Sequence, residues 1–474
     1  MELLDLPLEV FRAILEETVI VLGADRAPRL RLVNKFFDGE VIRVVCITGI
    51  LDSSHLTYGP WLAYHLQSRV LAPRAQDNNN YLLCTLRRVV DELIAKYQGD
   101  EHERKREISL ALSRAAAEYL GYRVPNALRG CETRSGVRLP KRSSVAYVSF
   151  LRSYEFEQSI LLGKGQTSDA PEHLLSPAAY VGDVSLVEGL LAQGVDVNAG
   201  SNVFGKPLFA AASAGHLDIV RLLLARGADA DDGAYPRTED DERRLLESGD
   251  SQESTELHIT CTRRLATALD AAAIGGYEEV VRLLLQPEFG ISRSTYSYRA
   301  AIIKAARGGN ANVMRLLIEA GEFSAIPEEW LWECVPVDVE DVSVDSLATP
   351  LVRAAANGHY EVVRLLLQRG AAVNGTPHCS STPIMEAAAG GYLRTVELLL
   401  DHGAVVHHWG SHPLEGAANH GQAHVVQFLL ERGAHLKTRH GGALALEYAL
   451  ENEYYSVSGM LMDYGIAPDY WLLG

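Results

Sequence analysis

A motif with a period of 33 residues recurs from about residue 171 onward and constrains the fold more than any other feature. It is complete at residues 349–375, TPLVRAAANGHYEVVRLLLQRGAAVNG. Pro350 suits the first turn of a helix that Gly358 would end, and Gly370 would end a second, amphipathic helix. Because two short helices cannot bury their apolar faces alone, the unit needs neighbours of the same kind.

The neighbouring copies are found by aligning the residue that ends each first helix, which is glycine in every copy but the last. The aligned residues are Gly182, Gly215, Gly276, Gly309, Gly358, Gly391, Gly421 and Glu453. They are separated by 33, 61, 33, 49, 33, 30 and 32 residues. The two long steps are 33 plus 28 and 33 plus 16, so the period survives two insertions. This spacing predicts about eight stacked copies.

The order Thr-Pro-Leu, Ala-Ala, Gly and Val-x-x-Leu-Leu at this period resembles the ankyrin repeat, and residues 206–230 and 382–404 repeat the match. The resemblance implies an all-α solenoid of helix-turn-helix repeats with projecting finger loops. Its usual work is to bind other proteins on a concave face. We therefore expect an ankyrin-repeat domain at 171–474, with a degenerate last copy as its cap.

One position departs from the family pattern in every copy, because the histidine that follows Thr-Pro-Leu is missing. That histidine usually joins hydrogen bonds between repeats, so the resemblance implies looser or more apolar junctions here. The last copy has polar Glu451, Asn452 and Glu453 on its outer side, as a cap facing water requires. The residues that replace the histidine are Ser176, Phe209, Asp270, Ile303, Val352, Met385 and Glu415.

A second resemblance lies at the N-terminus, in LPLEV at 6–10, IL at 14–15 and LRLVNKFF at 30–37. This order resembles an F-box, a small helical domain that docks onto the Skp-family linker of cullin-based ubiquitin ligases. The combination with ankyrin repeats resembles fungal-type F-box/ankyrin proteins. Asn34 and Phe37 depart from the family, where cysteine and tryptophan are frequent. Transferred residue by residue, the docking surface is Leu6, Pro7, Val10, Ile14, Leu32 and Val33.

These N-terminal residues have an alternative interpretation, in which residues 1–45 are a helical cap on the domain behind them. A cap would bury the same apolar side chains internally and leave none for a partner. The two interpretations give two functions. The first is a substrate-recognition adaptor of a cullin-based, SCF-type ubiquitin ligase, and the second is a non-enzymatic ankyrin scaffold or regulatory binding protein.

Residues 46–170 are expected to be a helical middle region and linker. Apolar residues at three- and four-residue spacing predict helices within 81–97 and 103–120. Basic side chains outnumber acidic ones between residues 87 and 142. A solvated helix face is the favoured interpretation, with contact to the acidic repeats or to a nucleic acid as the alternative.

The two insertions, near 234–260 and 327–346, fall where finger loops project from the stack. The first is rich in charge and predicts a solvated excursion. The second has seven acidic residues, no basic residue, and Trp330 and Trp332 beside Glu333. Acid beside exposed tryptophan would suit a basic, partly apolar peptide of a target protein. Alternatively, both tryptophans fold back onto neighbouring helices.

Another finger loop has an unusual sequence, HHWGSH at 407–412. No cysteine or carboxylate stands beside these histidines at a regular zinc-ligand spacing, so we expect no metal site. His408 and Trp409 instead remain candidates for contact with a protein partner at the finger tip.

Composition limits the remaining possibilities. A net charge of −17 argues against general affinity for nucleic acid, and the sequence has no apolar run long enough for a membrane span. No GxSxG, HExxH or Walker pattern is present, so we expect a non-enzymatic monomer without cofactors. The widely spaced cysteines favour a reducing compartment, the cytoplasm or the nucleus. They are Cys46, Cys84, Cys131, Cys261, Cys334 and Cys379.

Overall fold

The structure is a computed structural model and divides into two compact units, Met1–Asp229 and Ala230–Gly474. It describes residues 15, 60–71, 81–96, 101–120, 172–201, 203–231, 267–291, 296–321, 350–375, 381–406, 412–434 and 441–467. Within these ranges the regular elements are α-helices, apart from one 3-10 turn at Pro287–Phe289 and an isolated bridge between Ser201 and Gly205.

The helices are numbered in chain order within the described residues. Those of the first unit are α1 (Pro60–Leu71), α2 (Tyr81–Ile94), α3 (Glu101–Leu120), α4 (Glu172–Val181), α5 (Val184–Ala192), α6 (Pro207–Ala214) and α7 (Leu217–Ala225). Those of the second unit are α8 (Ala268–Gly275), α9 (Glu278–Leu284), α10 (Tyr296–Gly308), α11 (Ala311–Ala320), α12 (Pro350–Ala356), α13 (Tyr360–Gln368), α14 (Pro383–Ala389), α15 (Leu393–Asp401), α16 (Pro413–Asn419), α17 (Ala423–Glu431), α18 (Gly441–Glu451) and α19 (Tyr455–Asp463).

The first unit begins with a small bundle of α1, α2 and α3, which pack on one another around buried leucines such as Leu66, Leu86 and Leu112. The helical spacing in the sequence correctly predicts α2 and α3. Both helices also pack against α4, the first helix of the first repeat. The bundle therefore covers one side of that repeat, and α6 of the second repeat packs on α4 as well.

Eight helix pairs follow the predicted repeats, from α4 with α5 to α18 with α19. In the second unit the first helices α8, α10, α12, α14, α16 and α18 pack side by side in one row. Their close approach is favoured because each of these helices except α18 has two adjacent buried alanines, and small side chains let backbones come near one another. The fully buried alanine pairs of the interior repeats are Ala272 and Ala273, Ala305 and Ala306, Ala354 and Ala355, Ala387 and Ala388, and Ala417 and Ala418.

The insertions lie where the repeat period predicts them, between a second helix and the next first helix. Helix α7 ends at Ala225 and α8 begins at Ala268, while α11 ends at Ala320 and α12 begins at Pro350. The helices on both sides keep the length of the uninterrupted repeats, so neither insertion lengthens or divides a helix.

The turn after each first helix is built on a glycine in the left-handed conformation. Gly309 has a φ of 77° and Gly358 a φ of 71°. A Cβ atom on Gly309 would lie 2.3 Å from Nδ1 of His359, and one on Gly358 would lie 2.4 Å from Cδ1 of Tyr392. Glycine is therefore required for two reasons. It allows the positive φ, and its missing Cβ leaves the space that the side chain of the next repeat occupies.

The side chain that occupies this space also forms hydrogen bonds between repeats. Nε2 of His359 donates to the carbonyl oxygen of Arg307 at 2.8 Å. Nε2 of Gln422 donates to the carbonyl oxygen of Ala389 at 3.2 Å. The junctions therefore keep polar contacts, contrary to the expectation drawn from the missing histidine, because the residue after the glycine supplies them.

The last repeat differs at this turn. Glu453 has a φ of 60° and is the one residue other than glycine with a positive φ in the described part of the chain. Glu451 and Glu453 are exposed, which agrees with the polar outer side expected of a cap. Tyr455 is 73% exposed, however, so this end of the array also presents an aromatic ring to solvent.

We predict that Gly358→Ala destabilises the protein more than Gly370→Ala does. Both glycines have positive φ, so each substitution costs about 1–2 kcal/mol in backbone strain. Only at Gly358 would the added Cβ also collide with Tyr392, because nothing lies within 4 Å of a Cβ on Gly370. In urea unfolding, the free energy of unfolding of Gly358→Ala should be lower than that of Gly370→Ala by about 1 kcal/mol or more. Equal losses would contradict the steric role of this glycine.

We also predict that Glu453→Gly raises the free energy of unfolding by about 0.5–1 kcal/mol, because glycine adopts positive φ without strain. Glu453→Ala is the matched control. It removes the same carboxylate but keeps the Cβ atom, so it should bring no gain in urea unfolding. A comparable gain in both variants would attribute the effect to the carboxylate instead of the backbone.

Candidate protein-binding surface

The first helices of the second unit keep one face accessible near their C-terminal ends. Ile274 of α8 is 39% exposed, and Arg307 of α10 is half-buried. Asn357 after α12, Gly390 after α14 and Asn419 of α16 are exposed at the equivalent turns. We call this accessible side of α8 to α18 the first-helix row.

The charge of the first-helix row is basic over α10 and α12. Arg299, Lys304 and Arg307 on α10 and Arg353 on α12 are all half-buried. Helices α8, α10 and α12 have a single carboxylate, that of Asp270, and it is buried. It accepts a hydrogen bond from the backbone N–H of Thr267 at 2.9 Å in a capping box, so it serves the helix terminus.

The row is acidic over its remaining helices. Glu386 lies on α14, Glu415 on α16, and Glu447 and Glu451 on α18, while none of these three helices contains lysine or arginine. The carboxylate of Glu386 accepts a hydrogen bond from the hydroxyl of Ser381. The sign of the charge thus changes once along the row, between α12 and α14.

The second helices arrange their charges differently, because bases and acids alternate and pair on the same surface. The guanidinium of Arg282 lies 2.7 Å from the carboxylate of Glu278. The corresponding distance between Arg364 and Glu361 is 2.6 Å. Local pairing of this kind leaves little net field. On the first-helix row, in contrast, basic residues lie together on α10 and α12 and acidic residues lie together on α14, α16 and α18.

The finger loops are held in register by asparagine side chains. Oδ1 of Asn374 accepts a hydrogen bond from the backbone N–H of Val405 at 2.8 Å. Oδ1 of Asn198 accepts one from the backbone N–H of Asp229 at 3.1 Å. Each asparagine thus joins its own loop to the loop of the following repeat. The only signal for them in the sequence is a Val-Asn pair after the second helix.

Glu415 is half-buried in the row, at the position of the family's missing histidine. Its side chain is 15% exposed and its Oε1 lies 4.0 Å from Nε2 of His412. Burial raises the pKa of Glu415 to about 7. Burial also lowers the pKa of His412. The carboxyl of Glu415 therefore changes its charge near neutral pH.

The residues singled out in the sequence as partner contacts lie outside the described residues. In the N-terminal segment the structure describes Leu15, which is helical and 4% exposed. Of the histidine-containing finger loop at 407–412, the structure describes His412. The predicted contacts outside the described ranges are Leu6, Pro7, Val10, Ile14, Leu32, Val33, Trp330, Trp332, Glu333, His408 and Trp409.

Neither a metal-binding cluster nor a membrane-spanning helix is found among the described residues. Among them, no three side chains of histidine, cysteine, aspartate or glutamate are grouped closely enough to hold a metal ion. No helix in the described ranges is both long enough and apolar enough to cross a membrane.

A family model described as ankyrin repeats (3 copies) matches residues 175–294, 269–377, 328–408, 351–440 and 384–470. Together these overlapping matches cover more than half of the chain. This chain belongs to the ankyrin-repeat family. Its repeats are accordingly a protein–protein interaction module, and ankyrin-repeat proteins are generally not enzymes.

Two known ankyrin proteins illustrate the similarity. The human ankyrin repeat and KH domain-containing protein 1 is 33% identical over 108 residues, which are 23% of this chain and 4% of that protein. The crystal structure of the human ASB11 ankyrin repeat domain is 26% identical and covers 54% of this chain and 96% of that one, with a TM-score of 0.40. This chain thus matches only a small part of the first protein's length.

We predict that the stability of this ankyrin protein decreases between about pH 4.5 and about pH 7 relative to that of Glu415→Gln. The pKa of Glu415 is higher in the folded protein than its usual value of 4.5, so the folded state binds the proton more tightly. Its contribution to stability is therefore present at low pH and lost as pH rises to about 7.

Urea unfolding of both proteins across this range should show a relative change on the order of 1 kcal/mol. Glutamine is neutral throughout and has nearly the same shape. His412 is present in both proteins, so its own titration largely cancels. A difference between the two proteins that is constant with pH would contradict the burial of Glu415.

Proposed function

We propose that this protein is an adaptor that brings a target protein to a cullin-based, SCF-type ubiquitin ligase. In this proposal the segment 6–37 binds the Skp-family linker, and the ankyrin repeats bind the target. The order of the residues in the N-terminal segment supports the first part, and membership of the ankyrin family supports the second.

The packing of the middle region is the structural observation that most favours this function over a purely structural N-terminus. Helices α2 and α3 pack on α4, so the first repeat is already covered by residues from 81–120. Residues 1–45 are then not needed as the cap of the array. This observation supports assigning the apolar N-terminal segment to partner binding.

Such an adaptor would act by proximity and not by chemistry of its own. Holding the target and the linker on one chain raises the concentration of the target near the enzyme that transfers ubiquitin. The target would contact the first-helix row and the neighbouring finger loops, where Trp330, Trp332, Glu333, His408 and Trp409 are the proposed finger contacts. We place this activity in the cytoplasm or the nucleus.

A scaffold without a ligase role is the second candidate. The observation in its favour is Leu15, which is helical and buried, as a segment folded onto its own chain would be. A buried Leu15 also suits the interior of a small helical domain whose docking residues lie elsewhere. The two functions therefore differ in whether Pro7, Val10 and Ile14 bind a linker.

The decisive measurement is a calorimetric titration of the purified protein with the Skp-family linker from the same organism. We expect saturable binding that a Pro7→Ala, Ile14→Asp, Val33→Asp variant weakens at least about tenfold, because charge placed in an apolar contact is costly. Circular dichroism must show that this variant keeps its helices. A Trp330→Ala, Trp332→Ala variant is the control and should bind the linker normally.

Absence of binding by the folded wild-type protein would reject the ligase role and leave the scaffold. Equal binding by the N-terminal variant would place the linker contact outside the proposed docking residues.

A further inference from the structure

The basic part of the first-helix row stands out because the chain as a whole has a net charge of −17. Arg299, Lys304, Arg307 and Arg353 lie on two adjacent first helices, α10 and α12, which pack directly on each other. Neither helix contains an acidic residue. Although the protein is acidic overall, the first-helix row therefore has a local basic surface.

The environment of these cations favours a strong interaction with an incoming anion. Each is half-buried, and charges at partly buried positions are screened less by water and salt than fully exposed ones. Arg353 forms no ion pair with a described carboxylate, and its buried Nε has no hydrogen-bond acceptor there.

An exposed apolar side chain lies beside the cations. Ile274 at the end of α8 is 39% exposed. A Cβ atom on Gly308 would lie 2.1 Å from the carbonyl oxygen of Ile274, so the ends of α8 and α10 touch. Ile274 is therefore next to Arg307, one helix before it in the row. The surface offers an apolar contact followed by positive charge.

The spacing of the row sets the spacing of a ligand that crosses it. Packed helices lie about 8–10 Å apart, and an extended chain rises about 3.3 Å per residue. A segment running along the row therefore advances about three residues for each repeat. Its apolar residue would meet Ile274, and carboxylates three and six residues further on would meet α10 and α12.

We propose that the surface formed by Ile274, Lys304, Arg307 and Arg353 binds an extended acidic segment of a partner protein. The segment has an apolar residue followed by carboxylates at three-residue intervals. This inference rests on the proposed role of the repeats in binding a target. It adds the chemistry of that target and the part of the array that recognises it.

The test uses the full-length protein and a fluorescein-labelled peptide of about 12 residues with leucine followed by glutamate at the third and sixth positions after it. Fluorescence anisotropy should show saturable binding. Lys304→Ala, Arg307→Ala and Arg353→Ala should each weaken it roughly two- to fivefold. Raising the salt concentration from about 50 to about 300 mM should also weaken it.

Two double variants separate this surface from a general effect of charge. Lys304→Glu with Arg353→Glu should abolish binding, while Arg282→Glu with Arg364→Glu makes the same change in net charge on the second-helix row and should change affinity less than about twofold. Circular dichroism and urea unfolding check that both variants are folded. A peptide with glutamine in place of glutamate should not bind.

Lack of saturable binding by the wild-type protein would overturn the inference, as would equal losses in the two double variants. The linker titration distinguishes this failure from failure of the ligase role. If Lys304→Glu with Arg353→Glu and the wild-type protein bind the linker equally but neither binds the peptide, only the present inference fails. If the wild-type protein binds the peptide but not the linker, only the ligase role fails.

Discussion

The array depends on one contact that is repeated along it, the packing of a side chain against the glycine of the preceding repeat. A left-handed glycine ends each first helix except the last, and the missing Cβ leaves a space that His359 fills at Gly309 and Tyr392 fills at Gly358. Where the side chain is polar, it also donates to a carbonyl oxygen of the preceding repeat. The same contact therefore ends a helix and sets the distance to the next one.

This close stacking has a consequence for the electrostatics of the two rows. The second helices have an exposed face on which arginine and glutamate three or four residues apart can pair within one helix, as Arg364 and Glu361 do. The first helices bury alanine and apolar residues around most of their circumference, so each has few exposed positions. No described first helix of the second unit contains both an acidic residue and a lysine or arginine, so successive repeats can accumulate one sign. The sign changes between Arg353 and Glu386.

Much of the fold could be predicted from the spacing of glycine, alanine and leucine, because each repeat is local in sequence and contacts only its neighbours. The helix bounds around both insertions follow from the period, and α2 and α3 follow from their apolar spacing. The polar contacts between repeats could not be predicted from the missing histidine, because a histidine or glutamine at another position, directly after the glycine, forms them. The finger asparagines, such as Asn374, were missed because a single amide in a loop has no periodic signal.

The sequence by itself determined that the chain is a solenoid of about eight helix pairs, where its insertions fall, and that its work is to bind proteins. These properties are periodic or compositional, so they can be counted along the chain. Only the tertiary structure decided that α2 and α3 pack on the first repeat, that Glu415 is half-buried, and that cations from two repeats lie on adjacent, packed helices. Lys304 and Arg353 are 49 residues apart in sequence, and the packing of α10 on α12 brings their helices together.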